Sequence, residues 1–131
     1  MFQLQCEDFQ ERVNDFLLRH QSILDILSKS TEANARVIRS STKAVTTCGC
    51  LKIRAEKKPL PQNASINDLK ELFSSHLEGE LCDNCRDVIM DEIGKNIFYL
   101  TALCNTLGIS LQEVLEKENN KIMTLGRFNM T

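Results

Sequence analysis

Two stretches of this chain place an apolar residue at alternating steps of three and four, a spacing that matches one face of an α-helix and suits little else. In residues 82–107 the stripe is Cys85, Ile89, Ile93, Ile97, Leu100, Cys104 and Leu107, with Val88 and Leu103 beside it. In residues 2–27 it is Phe2, Cys6, Phe9, Val13, Phe16, His20, Ile23 and Leu27, widened by Leu17 and Leu24. Such a widened seam suits a bundle face better than a bare two-stranded zipper. Two prolines and five glycines in 131 residues leave few places to break helices. The expectation is an all-α fold: one domain, residues 1–131, built as a bundle of four to five helices.

The punctuation divides the chain. "SKST" (Ser28–Thr31) is expected to end the first helix and cap a second over residues 32–46, whose inner face is Val37, Ile38, Ala44 and Val45. Gly49 stops that helix. "LKI" reads as a short extended piece, and "RAEKKPLPQNAS", with Pro59 and Pro61, as the main loop. "SIND" (Ser65–Asp68) is a variant capping box that opens a short helix to about His76, interrupted at Gly79. The core helix then spans Cys82 to Leu107 and stops at Gly108. "SLQE" (Ser110–Glu113) caps a last helix through about Met123, which Gly126 ends.

Composition excludes several classes of partner. A net charge of −2, no basic stripe and only 5% aromatic residues give no footprint for nucleic acid. No apolar run approaches the roughly 20 residues that cross a bilayer, so no membrane partner is expected. The N-terminal segment carries Glu7 and Asp8 and no apolar core of a secretory signal, which points to the cytoplasm. Thiols stay reduced there, and close cysteine pairs then suggest metal or redox chemistry before structural disulfides.

The chain has six cysteines, four of them in two pairs. Cys48 and Cys50 form a C-x-C at the end of the second helix. Cys82 and Cys85 form a C-x-x-C at the start of the core helix. Each pair can chelate from one turn of backbone, and four thiolates close a tetrahedral structural zinc site. The ion would staple the two helix ends and close the proline-containing loop. A thiol–disulfide role for Cys82 and Cys85, or four ordinary buried cysteines, would fit the same residues. His76 is a spare candidate ligand. Cys6, Cys104 and His20 lie on apolar stripes and read as core or interface.

The segment "DEIGKNIFYLTALCNTLGISLQEVLEKENNKI", residues 91–122, resembles the MazG-like all-α nucleotide pyrophosphohydrolases. In that family E-E-x-G-D on a helix is followed by an "FYL"-type run, "LGI" and a capped "LEEVL" helix. The resemblance implies a MazG-like bundle and carboxylates on two helices holding Mg²⁺ for triphosphate cleavage. Here Asp91 and Glu92 match, but Lys95 stands where the family has aspartate. The second-helix motif is reduced to Glu32, followed by Arg36 and Arg39. A cation at a ligand position repels Mg²⁺, so the resemblance implies a non-catalytic binding or regulatory relative.

In such a relative Arg36, Arg39, Lys95, Lys117 and Lys121 are possible phosphate contacts for a nucleotide. The first helix's apolar seam would pair two copies into a homodimer. The alternative is a Mg²⁺-dependent pyrophosphohydrolase with relocated acids: Asp87 and Asp91, which share a helix face with Asp83, together with Glu32 and Glu92. A second alternative is a thiol redox sensor on Cys82 and Cys85.

Overall fold

The computed structural model describes residues 4–17, 21–59, 62–63, 65–68 and 74–126. The fold is all-α with one small hairpin. In order the elements are α1 (Cys6–Phe16), α2 (Ile23–Lys43) continued by a π-helical turn (Ala44–Cys48), β1 (Leu51–Ile53), β2 (Leu77–Gly79), α3 (Asp83–Leu107) and α4 (Leu111–Leu125). They form two compact units. One comprises Met1–Arg36 and Glu92–Thr131, the other Val37–Asp91.

In the first unit, Val13, Ile26 and Ala102 are fully buried, and Phe9, Leu17, Phe98 and Leu103 close around them. α1 packs on α4, and Gln10 fixes the contact. Its side chain donates to the Ile109 carbonyl at 2.8 Å and accepts from the Leu111 N–H at 2.8 Å, while its own carbonyl accepts from Asn105. The α3–α4 turn needs Gly108, whose φ is +69°. The Ile109 N–H then reaches the Cys104 carbonyl and the Gly108 N–H the Asn105 carbonyl, a Schellman end that satisfies two orphan acceptors. Ser110 caps α4 by accepting from the Glu113 N–H at 3.3 Å, as "SLQE" predicts.

The first helix does not run to residue 27. It ends at Phe16, and α2 begins at Ile23 and passes straight through "SKST". Thr31 is no cap: its hydroxyl donates back to the Leu27 carbonyl within the helix. The described part of the expected seam is split: Val13 is buried and Cys6, Phe9 and Leu17 half-buried, whereas Phe16, Ile23, Leu24 and Leu27 are exposed. Phe2, His20 and the "RFNMT" tail lie outside the described residues.

The second unit carries the hairpin. β1 pairs antiparallel with β2 in the register Leu51↔Gly79, Lys52↔Glu78, Ile53↔Leu77. "LKI" is extended as expected. "LEG", read above as a break in a helix, is its partner strand. Residues 66–68 are helical behind a reciprocal capping box, in which Ser65 and Asp68 each accept from the other's backbone N–H. Residues 69–73 of the expected short helix lie outside the described residues. Among the described residues no helix is long and apolar enough to cross a membrane.

Candidate metal centre

The end of α2 is shaped by its hydroxyls. Ser40 and Ser41 both donate to the Val37 carbonyl, Thr42 to that of Ile38, and Thr46 to that of Thr42. These side-chain bonds compete for helical acceptors and bend a helix. The backbone then widens into the π-helical turn, a geometry often found at functional sites. Gly49, at φ +79°, ends it with its N–H on the Ala44 carbonyl at 3.0 Å. Cys48 is thereby left on the last turn and Cys50 at the mouth of β1.

The second arm comes from the other side of the hairpin. Leu51 opposite Gly79 brings the chain leaving β2 alongside Cys50, and two residues after Glu80 stands Cys82. A Cβ on Gly79 would lie 2.5 Å from the Cys50 carbonyl oxygen, and its φ is +87°. Only glycine lets the two arms approach so closely. Cys82 immediately precedes α3. Its sulfur accepts from the Cys85 N–H at 3.4 Å, as an N-cap side chain would.

The result is a cluster of Cys48, Cys50, Cys82 and Cys85 whose sulfurs all lie within 4.8 Å of one another. Cys48 and Cys82 are 3.8 Å apart, sulfur to sulfur. A disulfide would require about 2.05 Å. Sulfurs about 2.3 Å from a tetrahedral ion sit about 3.8 Å from each other, so this separation equals one edge of such a tetrahedron. Cys48 is exposed and the other three are partly buried. The Cys50 sulfur reaches the Ala44 carbonyl at 3.7 Å. Four cysteines so placed can hold a metal ion.

The thiols share charge unequally. The Cys82 thiol is lowered to about 7, first by the Cys85 backbone N–H and then by the Cys85 side chain. The N-terminus of α3 favours the thiolate in the same sense. Cys85 is pushed up to about 12, chiefly because a thiolate on Cys82 disfavours a second charge, with burial adding to it. Without an ion, one thiolate is tolerated and the next is opposed. A divalent cation removes that opposition.

No family model, curated protein or solved structure matches the chain.

The remaining candidate residues are spread along the helices. Glu32 is bound by Lys29 at 3.3 Å and Arg36 at 3.1 Å, which in that order hold its carboxyl below the usual range. Lys95 lies 3.6 Å from Glu92 Oε1, one turn along α3, while Glu92 Oε2 is buried without a hydrogen-bond partner. Asp87 and Asp91 are exposed and belong to the unit with the cysteines, whereas Glu32 and Glu92 belong to the other. Two of the acids named for Mg²⁺ are thus each paired with a neighbouring cation, Glu32 with Lys29 and Arg36 and Glu92 with Lys95. Arg39 and Lys117 are exposed, and Lys121 pairs with Glu118 at 4.0 Å.

His76 lies at the far end of the hairpin, where its carbonyl accepts from the Arg54 N–H. Four steps of extended chain lie between that point and Cys50, about 13 Å at the usual rise, so His76 is no ligand to the cysteine cluster. The sequence reading took Gly79 only as a helix break and missed its role beside Cys50. The signal was present in "LEGEL", a glycine between a short polar run and a C-x-x-C, but it becomes specific only once its pairing with "LKI" is known.

Proposed function

We propose that this chain is a non-catalytic, MazG-like helical binding module whose hairpin and helix ends are stapled by a structural zinc ion on Cys48, Cys50, Cys82 and Cys85. The observation that carries the metal is the sulfur cluster, with one edge at 3.8 Å. Zinc suits it because four thiolates make a closed, redox-inert tetrahedral site with no open position for substrate. The lack of catalysis is supported by charge. Lys95 stands against Glu92, and Arg36 and Lys29 against Glu32. The exposed cations Arg36, Arg39, Lys95, Lys117 and Lys121 are then the groups available to a phosphate-bearing ligand.

Elemental analysis of freshly purified protein should find one zinc per chain. Replacement by cobalt should give the intense thiolate-to-metal absorption of a tetrahedral site. Absence of metal, with two titratable thiols fewer than the sequence contains, would replace zinc with a disulfide and support the redox reading.

One observation favours a second reading. The unpartnered Glu92 Oε2 is a carboxylate oxygen that a cation would satisfy. In this reading Glu92 is a metal ligand of a Mg²⁺-dependent nucleoside triphosphate pyrophosphohydrolase. Pyrophosphate release from a panel of triphosphates with Mg²⁺ or Mn²⁺, abolished by Glu92→Gln, would establish it. No release, with a nucleotide raising the melting temperature, supports the binding module.

A further inference from the structure

The four clustered thiols are not equally placed toward solvent. Cys48, on the last turn before Gly49, is exposed, while Cys50, Cys82 and Cys85 are partly buried. An oxidant arriving from solution therefore meets Cys48 first. The Cys48 sulfur stands 3.8 Å from that of Cys82, on the far side of the hairpin. A disulfide needs about 2.05 Å. One change of rotamer carries a cysteine sulfur about 3 Å, so side-chain rotation alone can close that gap. Cys50 is a poorer partner for Cys48. Its sulfur is engaged with the Ala44 carbonyl at 3.7 Å, and a bond to it would have to close over Gly49 alone, whose φ of +79° is already set by the helix end.

We propose that the cluster is a peroxide-sensitive zinc site, in which oxidation joins Cys48 to Cys82 and expels the ion. The proposal rests on the zinc reading above, and it places the bond between the two arms of the cluster instead of within the C-x-x-C pair. The Cys48 thiolate attacks one oxygen of hydrogen peroxide, the O–O bond breaks, and the departing hydroxide takes up a proton to become water. Cys48 is then a sulfenic acid. The Cys82 thiolate attacks that sulfur; the S–S bond forms, the S–O bond breaks, and the second hydroxide is protonated to water. Two electrons pass from the two sulfurs to the peroxide, and zinc remains Zn²⁺ throughout. Cys50 and Cys85 alone cannot complete a closed four-sulfur site, so the ion leaves.

The choice of pair has a structural consequence. The disulfide links the same two positions, 34 residues apart, that the ion links. The loop therefore stays closed as the metal departs, and the hairpin of Leu51–Ile53 on Leu77–Gly79 keeps its anchor. Chelation removes the ion and the link together. A bond between Cys82 and Cys85 would do the same, because it joins nothing across the loop.

The test uses freshly purified, zinc-loaded chain and a small excess of hydrogen peroxide, with a chromogenic chelator reporting free zinc. Zinc should appear in step with the loss of two thiols per chain, and a thiol reductant should restore zinc uptake. Trypsin leaves Cys48 and Cys50 in the peptide of residues 44–52, and Cys82 and Cys85 in that of residues 71–86. The two peptides should be joined, with fragmentation placing the bond at Cys48 and Cys82, and the hairpin amides should stay protected from exchange. Cys48→His keeps a ligand and removes the oxidisable sulfur, so it should slow zinc release at least tenfold; if it holds no zinc, the wild-type peptide map decides. Zinc retained under peroxide, a bond confined to either peptide, or hairpin protection lost with the metal would overturn the inference and leave the zinc reading standing. A reduced chain that neither carries nor takes up zinc would overturn both.

Discussion

Replacing Cys82 with serine perturbs the cluster at its most connected residue. Cys82 faces Cys48 across 3.8 Å, accepts the Cys85 N–H and immediately precedes α3. With zinc bound, the ion joins positions 34 residues apart in sequence. Closing a loop of that length lowers the unfolded chain's entropy by an amount worth about 4 kcal/mol at 25 °C in the chain-entropy relation used for cross-links. Metal affinity adds to this by mass action, reduced by whatever zinc the unfolded thiols retain. The hairpin cannot replace the lost link. It has three residues per strand and β2 is exposed throughout, and an isolated two-stranded hairpin is marginal at best.

Zinc-loaded wild type, chelator-treated wild type and Cys82→Ser should therefore separate clearly in urea titrations followed by circular dichroism. With a slope near 2 kcal/mol/M, about 4 kcal/mol moves the midpoint by about 2 M. Hydrogen exchange adds a local readout. Amides of Leu51–Ile53 and Leu77–Gly79 should lose protection first, because their ladder depends on the staple. Cys6→Ser, made in α1 away from the cluster, is the control and should shift the midpoint little. Coincident midpoints for all three samples, or unchanged hairpin protection after chelation, would refute the idea that a metal closes this loop.

Three further outcomes follow from the same geometry. Gly79→Ala should weaken zinc retention against a competing chelator by at least tenfold, because the new Cβ meets the Cys50 carbonyl at 2.5 Å on a backbone with φ +87°. Glu92→Gln should leave the melting temperature equal or higher, since it removes a charge whose Oε2 has no partner and loses only a 3.6 Å pair with an exposed Lys95; destabilisation beyond about 1 kcal/mol would mean the carboxylate is needed. In the metal-free protein Cys82 titrates near 7, below its ordinary 9.0, so its contribution is complete above pH 9 and is lost as pH falls through 7; Cys85 is raised to about 12, so it costs stability as pH rises from 9 to 12. Urea midpoints of the apo protein should therefore rise from pH 7 to pH 9 and decline above it.

Much of the site was legible because it is local chemistry. C-x-C after a helix and C-x-x-C before one need only their own turns to present two sulfurs each, and both turns are encoded by neighbours, Gly49 on one side and the N-terminus of α3 on the other. The strand "LKI" was legible for the same reason. Its partner was not, because "LEG" has no strand character apart from the pairing: it is fully exposed and ends in glycine, and its conformation comes from a segment 26 residues away. The first helix failed in the other direction. The heptad pattern continues unbroken from Phe9 to Leu27, yet the backbone breaks after Phe16, and "SKST" stays helical because Thr31 satisfies its hydroxyl within the helix. Serine and threonine mark a cap only when the chain has another reason to turn there.

The stripe on α3 shows a deeper limit of periodicity. Heptad spacing says that apolar side chains share a face and is silent on whose chain covers it. Size settles which face goes inward. Ala102 and Thr101 are small, and they let neighbouring helices approach closely enough to enclose Val13 and Ile26. Ile97 and Leu100, on the adjoining face, are too bulky for that close approach and remain about half exposed. A chain that spends its small residues on its own core leaves its large ones on an outer seam of the same helix. The metal cluster sits in the unit that lacks this seam, so chelation and seam substitutions should act independently: chelation should expose the hairpin amides while those of α3 around Leu100 keep their protection, and Leu100→Glu should leave the metal content unchanged.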